Sequence, residues 1–182
     1  MKKQILFVQG GGPDAHDAWD NKLVDSLRRE LGSGYVVKYP RMPNEGDPKY
    51  ADWKVALKEE IEQLEDDAIL VGHSIGGTIL INFLAEAPPN RLINGVFLIS
   101  APFIGPGGWP SDEILPMTQL GVLLLPNIPI YLYHGSEDET APLVHVDLYE
   151  KAIPGANIRR LFGRDHQLYN DLAEVAADIR YL

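Results

Sequence analysis

The first chemistry legible in this chain lies in Gly72-His73-Ser74-Ile75-Gly76. The apolar residues at 69–71 have the character of a buried strand. From Ile75 to about residue 86, Ile75, Ile79, Leu80, Phe83 and Leu84 fall on one helical stripe. A serine on so tight a strand-to-helix turn projects its hydroxyl outward from a strained backbone. Gly72 and Gly76, lacking side chains, let the flanking segments approach closely. The Ile75 N–H, at the helix N-terminus, is then free to hold a developing oxyanion. The bland alternative is a plain glycine turn in which Ser74 only caps the helix.

A serine hydroxyl needs a base, and the base needs an orienting acid. Of the five histidines, His73 adjoins Ser74 and should point elsewhere, into a structural hydrogen bond of the turn. His16 and His145 belong to helical stretches and read as surface or supporting groups. His134 ends a strand before Gly135 and either shapes that turn or faces the site. His166 differs from these, because the loop 162–167 follows the last strand pattern and precedes the last helix, where it can reach across the strand ends. The acid comes from Glu137-Asp138-Glu139, after the preceding strand. These carboxylates make either a solvated acidic turn favouring the next helix N-terminus or a turn in which Asp138 points inward to His166. The glycines of Gln9-Gly10-Gly11-Gly12, after the first strand pattern, leave backbone N–H groups unshielded. Gly11 is the expected second oxyanion donor, with Gly10 and Gly12 as alternatives. No Lys-Ser/Thr follows, so this is no Walker-type phosphate loop.

These residues need a frame that collects strand ends. Strand patterns at 4–9, 35–39, 68–71, 95–100, 129–134 and 157–162 alternate with helical stripes. The stripes are Trp19, Leu23, Leu27 and Leu31; Trp53, Leu57, Ile61 and Leu64; Val144, Leu148 and Ala152; and Leu168, Leu172, Val175 and Ile179. Mostly continuous apolar strands between helices predict an α/β fold: a mainly parallel sheet of about six strands covered by helices on both faces. In such sheets ligands bind beyond the carboxyl ends of the strands. The 182 residues suit one domain, 1–182, with no internal repeat or linker. Segment 101–127 breaks the alternation with five prolines and with Gly105, Gly107 and Gly108, among Phe103, Trp109 and the apolar run 120–125. It reads as a cap-like wall, with Phe103 and Trp109 lining a substrate pocket, or as a surface excursion packed onto the sheet.

Composition narrows the function further. The chain has no cysteine, a net charge of −10 and no basic cluster larger than a pair of arginines. Thiolate chemistry is excluded, and binding to nucleic acid or an anionic membrane is disfavoured. The N-terminal apolar stretch is too short for a signal peptide and no run approaches a membrane span, so a cytoplasmic protein is expected.

The motifs Gly72-His73-Ser74-Ile75-Gly76-Gly77, His134-Gly135-Ser136-Glu137-Asp138 and Gly163-Arg164-Asp165-His166 together resemble the α/β-hydrolase superfamily over essentially the whole chain. More narrowly, the chain resembles small, nearly capless serine hydrolases of the retinoblastoma-binding-protein type. The resemblance implies a six-stranded sheet with a minimal cap. It also implies a triad in the chain order Ser74, Asp138, His166, an oxyanion hole at Gly11 and Ile75, and no metal or organic cofactor. Its substrate would be a small-molecule ester or thioester, and no sequence feature indicates a protein partner. A carboxylate would have to replace Ser74 for dehalogenase or epoxide hydrolase chemistry. One departure stands out: the usual His-Gly after the first strand is Gln9-Gly10 here. The rival reading keeps the scaffold as a low-turnover binding or protein-interaction protein.

Overall fold

The structure, a computed structural model, describes residues 2–116, 120–124 and 128–182. Six strands form one parallel sheet: β1 Lys3–Val8, β2 Tyr35–Lys38, β3 Ala68–His73, β4 Ile93–Ile99, β5 Ile130–Gly135 and β6 Asn157–Leu161, in the order β2-β1-β3-β4-β5-β6. Alternate residues of the inner strands β1, β3, β4 and β5 serve opposite cores. Leu6, Val8, Leu70, Leu98 and Leu132 pack under α2 (Tyr50–Glu62), α3 (Ser74–Glu86), the short α4 (Leu120–Leu123) and α5 (Val144–Ala152). Ile5, Phe7, Ile69, Val71, Phe97 and Ile99 pack under α1 (Asn21–Leu31) and α6 (Ala173–Arg180). A strand buried on both faces cannot alternate apolar with polar, which is why β1 and β3 read as continuous apolar runs. Among the described residues no helix is long and apolar enough to cross a membrane.

Three helical stripes differ from the expectation. Trp19 is 54% exposed and overhangs the strand ends, because α1 is preceded by a wide, π-type turn, Ala15–Asp20. Asp20 takes the buried place beside Leu23 and Val24. On α5 the inner face is His145, Val146, Tyr149 and Ala152, whereas Val144 is exposed. Leu168 is buried as the last stripe requires, yet it opens three successive left-handed residues, Leu168, Tyr169 and Asn170, with φ of 49°, 54° and 56°. That turn is clamped by Arg164 Nη1 donating to the Leu168 carbonyl (2.9 Å) and by Asp165 Oδ1 accepting the Tyr169 N–H (2.8 Å). The regular helix starts only at Ala173.

The start of segment 101–127, residues 101–104, packs inward. Thr78 Oγ1 and the Tyr149 hydroxyl both donate to the Pro102 carbonyl, at 2.6 and 3.0 Å, joining α3 and α5 to its start. Leu120 and Leu124 are buried in the core, and Val122 and Leu123 are exposed. Residues 117–119 and 125–127, among them Met117, Leu125 and Pro126, lie outside the described residues.

Candidate active site

Ser74 sits at the junction of β3 and α3 with φ of +51°, a left-handed backbone that a non-glycine residue adopts only where its surroundings enforce it. Close packing enforces it here. A Cβ on Gly72 would lie 2.5 Å from Gly77 Cα, and one on Gly76 would lie 1.9 Å from the Gln9 carbonyl oxygen. The helix therefore starts against the end of β1, and the serine is turned out at the carboxyl edge of the sheet.

The loops after β5 and β6 meet there. His166 Nε2 lies 3.0 Å from Ser74 Oγ, and His166 Nδ1 lies 2.8 Å from Asp138 Oδ2. Of the three adjacent carboxylates only Asp138 is buried. Its Oδ1 accepts the N–H groups of Thr140 (2.9 Å) and Ala141 (2.8 Å), leaving Oδ2 for the imidazole. Burial alone would push the Asp138 carboxyl up, but hydrogen bonds from His134, His166 and the backbone hold it well below the usual carboxylate range. Burial pushes the His166 imidazole down, outweighing the Asp138 hydrogen bond that raises it, and the charge of His73 adds to the lowering. The ring therefore rests neutral, with a lone pair to offer.

The glycine loop is held from two sides. Gly10 N–H donates to Asp20 Oδ2 (2.7 Å), and Gly12 N–H to the Glu45 carbonyl (2.6 Å). Gly11 N–H, like Ile75 N–H in the first turn of α3, has no acceptor among the described residues. A Cβ on Gly11 would lie 2.9 Å from Ile75 Cγ2 and 2.6 Å from Pro48 Cγ, so the two free donors belong to adjoining residues. Gln9 anchors this loop from beneath: its Oε1 accepts the Met42 N–H (3.1 Å) and its amide donates to Glu45.

A family model described as the alpha/beta hydrolase family matches residues 5–180. The chain belongs to this family. Among individual hydrolase-fold relatives, YdeN of Bacillus subtilis (strain 168) is 27% identical over 100 residues, covering 55% of this chain and 51% of YdeN. The crystal structure of the ydeN gene product superposes with a TM-score of 0.74 at 19% identity, covering 99% of this chain and 98% of that one. A 2-hydroxy-6-oxo-6-phenylhexa-2,4-dienoate hydrolase of Comamonas testosteroni is 29% identical over 157 residues, covering 81% of this chain and 50% of the relative. The chain thus spans about half the length of the curated relatives it matches. An esterase domain of a Rhodothermus marinus protein shares the fold, with a TM-score of 0.66 and 22% identity over 97% of this chain and 82% of that one.

Two clefts open on either side of the Gly11–Ile75 contact. One, of about 250 Å³, lies over Ser74 and is lined by Gly10, Gly11, Gly12, Trp19, His166 and Gln167 among others. The second, of about 240 Å³, is lined by Pro48, Ile75, Ile79, Ile104, Trp109 and Ile114, with Asp112 and Glu113 also on its wall. Trp109 thus faces a cleft beside the Ser74 turn. Phe103 does not, and its expected pocket role is corrected. It is 4% exposed, packs edge-on against Tyr149 and donates its backbone N–H to His145 Nδ1 at 2.9 Å. That bond makes His145 a core residue rather than a surface one. His134 is also buried, donating to the Ala141 carbonyl (2.6 Å) and lying 3.3 Å from Asp138 Oδ2. Sequence reasoning missed Trp19, taken for core, and Asp20, an acidic residue within an apolar stripe.

Proposed function

We propose that this protein is a serine hydrolase that cleaves small, uncharged carboxylic esters or thioesters through an acyl-enzyme on Ser74. The observation that carries this reading is the unbroken Asp138–His166–Ser74 hydrogen-bond line, at 2.8 and 3.0 Å, opening on a cleft beside two free backbone donors. As Ser74 Oγ attacks the carbonyl carbon, His166 Nε2 takes its proton and the carbonyl electron pair moves onto oxygen. Gly11 and Ile75 N–H groups receive that oxyanion, each worth about 3 kcal/mol in the transition state. His166 then protonates the departing oxygen or sulfur as its bond to carbon breaks. In the second half His166 deprotonates water as it attacks the acyl carbon, then gives that proton to Ser74 Oγ as the acyl–Oγ bond breaks and the acid leaves. Asp138 keeps the Nδ1 proton in place and stabilises the imidazolium.

Neutral substrates are favoured because neither cleft is lined by an arginine or lysine, and Asp112 and Glu113 face the second. A carboxylate such as the dienoate in the Comamonas relative's name would meet no lysine or arginine there. We further assign the chain to the nearly capless hydrolases of the retinoblastoma-binding-protein type. In support, the described part of the β4–β5 excursion packs on the core and holds one helix of four residues.

Intact-protein mass after exposure to a fluorophosphonate, with Ser74→Ala alongside, tests the nucleophile. The expected result is a single adduct on the native chain and none on the variant. Labelling should rise with pH as His166 loses its proton, the limb lying below the ordinary imidazole value of 6.5 because burial lowers this pKa. Absence of any adduct from mildly acidic to mildly alkaline pH would put the low-turnover binding reading first. Trp109→Ala tests the acyl side. It should raise the ratio of kcat/KM for a hexanoyl over an acetyl ester by about tenfold, through the space freed in the second cleft. An unchanged ratio would place the acyl chain elsewhere.

A further inference from the structure

Beside the proposed triad lies a second buried imidazole–carboxylate pair that the catalytic scheme leaves unused. The side chains of His73 and Asp20 are 2% and 1% exposed. His73 Nδ1 lies 2.9 Å from Asp20 Oδ2, and His73 Nε2 lies 3.1 Å from the backbone carbonyl oxygen of His166. Both partners are acceptors only. A neutral imidazole has a single N–H and would turn a lone pair toward one of them, whereas an imidazolium satisfies both. Burial opposes that charge, but Asp20 overcomes it, raising the His73 pKa while its own is lowered.

The pair also touches every part of the site except the Asp138 turn. Asp20 Oδ2 accepts Gly10 N–H (2.7 Å), and Asp20 Oδ1 accepts Gln167 Nε2 (3.2 Å). His73 directly precedes Ser74, and its ring centroid is 5.0 Å from that of His166. The charged or titratable neighbours of His73 are Asp20 from the turn before α1, His166 from the loop after β6 and, from the turn after β5, Asp138. His166 faces Asp138 from that turn, His134 from the end of β5 and His73 from β3.

We propose that His73 and Asp20 are positioning residues: a buried imidazolium–carboxylate pair that clamps the glycine loop and the His166 loop around Ser74 and sets a fixed positive charge beside the His166 ring. The inference rests on the assignment of His166 as the base for Ser74. The clamp orients the peptide before Gly11, leaving the Gly11 N–H to the substrate. The fixed charge keeps the resting base deprotonated at a pH where it would otherwise carry a proton.

The direct test is ¹⁵N NMR of the full chain labelled in histidine, at about pH 8. The expected result is one buried histidine with both ring nitrogens protonated, its signal absent from His73→Gln. A neutral His73 tautomer would overturn the proposal. The functional test is the rate of fluorophosphonate labelling for wild type and Asp20→Asn. Asparagine keeps an oxygen at the Oδ2 place for Gly10 and His73 and turns its NH₂ toward Gln167, whose amide can flip to accept it, so the shape is kept and the charge lost. Relative to wild type, Asp20→Asn should fall about tenfold further near pH 6 than near pH 9, since His166 then holds its proton to higher pH. An equal loss at both pH values would overturn the role of the charge. If wild type takes no adduct at any pH, the Ser74 assignment fails instead, and the NMR result still decides the state of His73.

Discussion

Asp138→Asn should lower kcat for a short-chain ester by about 10³–10⁴-fold while leaving KM within a few fold, because the orienting acid determines which imidazole nitrogen carries the proton. The surrounding hydrogen bonds make the outcome unusually well determined. Thr140 and Ala141 N–H groups both donate to Oδ1, so an asparagine there must keep its carbonyl oxygen in that place. Its NH₂ then replaces Oδ2 and donates to His166 Nδ1. That forces the proton onto Nε2, where it points at Ser74 and the base is lost. The turn retains its two backbone bonds, so the thermal midpoint should fall by only a few degrees. A loss below about tenfold would mean that another group orients His166. The exposed neighbours Glu137 and Glu139 are poor candidates for that, Glu137 accepting instead from the Tyr169 hydroxyl at 3.2 Å.

Gly76→Ala should cost at least about 3 kcal/mol of stability, read as the shift in urea midpoint, and should abolish labelling of Ser74 at any residual folded population. The added methyl would lie 1.9 Å from the Gln9 carbonyl oxygen and 3.1 Å from that of Val8. Neither contact can relax by rotating a side chain, since both atoms are backbone at the end of the buried strand β1. The helix α3 has to withdraw, and with it Ile75 N–H leaves Gly11. A normal midpoint would show that α3 does not rest against β1 as described.

What could be read from the residues alone follows the kinds of force involved. The strands are legible because burial on both faces leaves apolar runs of characteristic length, and all six stand within about two residues of their patterns. Ser74 is marked by glycines that close packing demands on either side. Asp138 and His166 are marked by their places after β5 and β6, while their mutual geometry depends on turns that no period describes. Asp20 escapes because a hydrophobic stripe cannot register a carboxylate whose burial depends on distant partners, above all a histidine 53 residues away. Trp19 misleads for a related reason: an aromatic at helical spacing looks like core even where the helix overhangs a cleft. Phe103 is the converse, an aromatic in a loop whose backbone bond to His145 turns it into the protein.

The two halves of the site are tied together very differently. The Asp138 turn and the His166 loop are joined by Gly163 N–H to Ser136 Oγ (2.8 Å), Glu137 N–H to the Arg164 carbonyl (2.9 Å) and Ser136 N–H to the Leu161 carbonyl (2.9 Å). Ser74, 92 residues before His166, reaches this assembly only by its own bond to the ring and through its neighbour His73. The Asp138 turn and the His166 loop are therefore expected to dock as one unit, separately from the strand that carries Ser74. During refolding, helical ellipticity should return before susceptibility to a serine-directed probe, and the lag between the two would time the docking of the last strand.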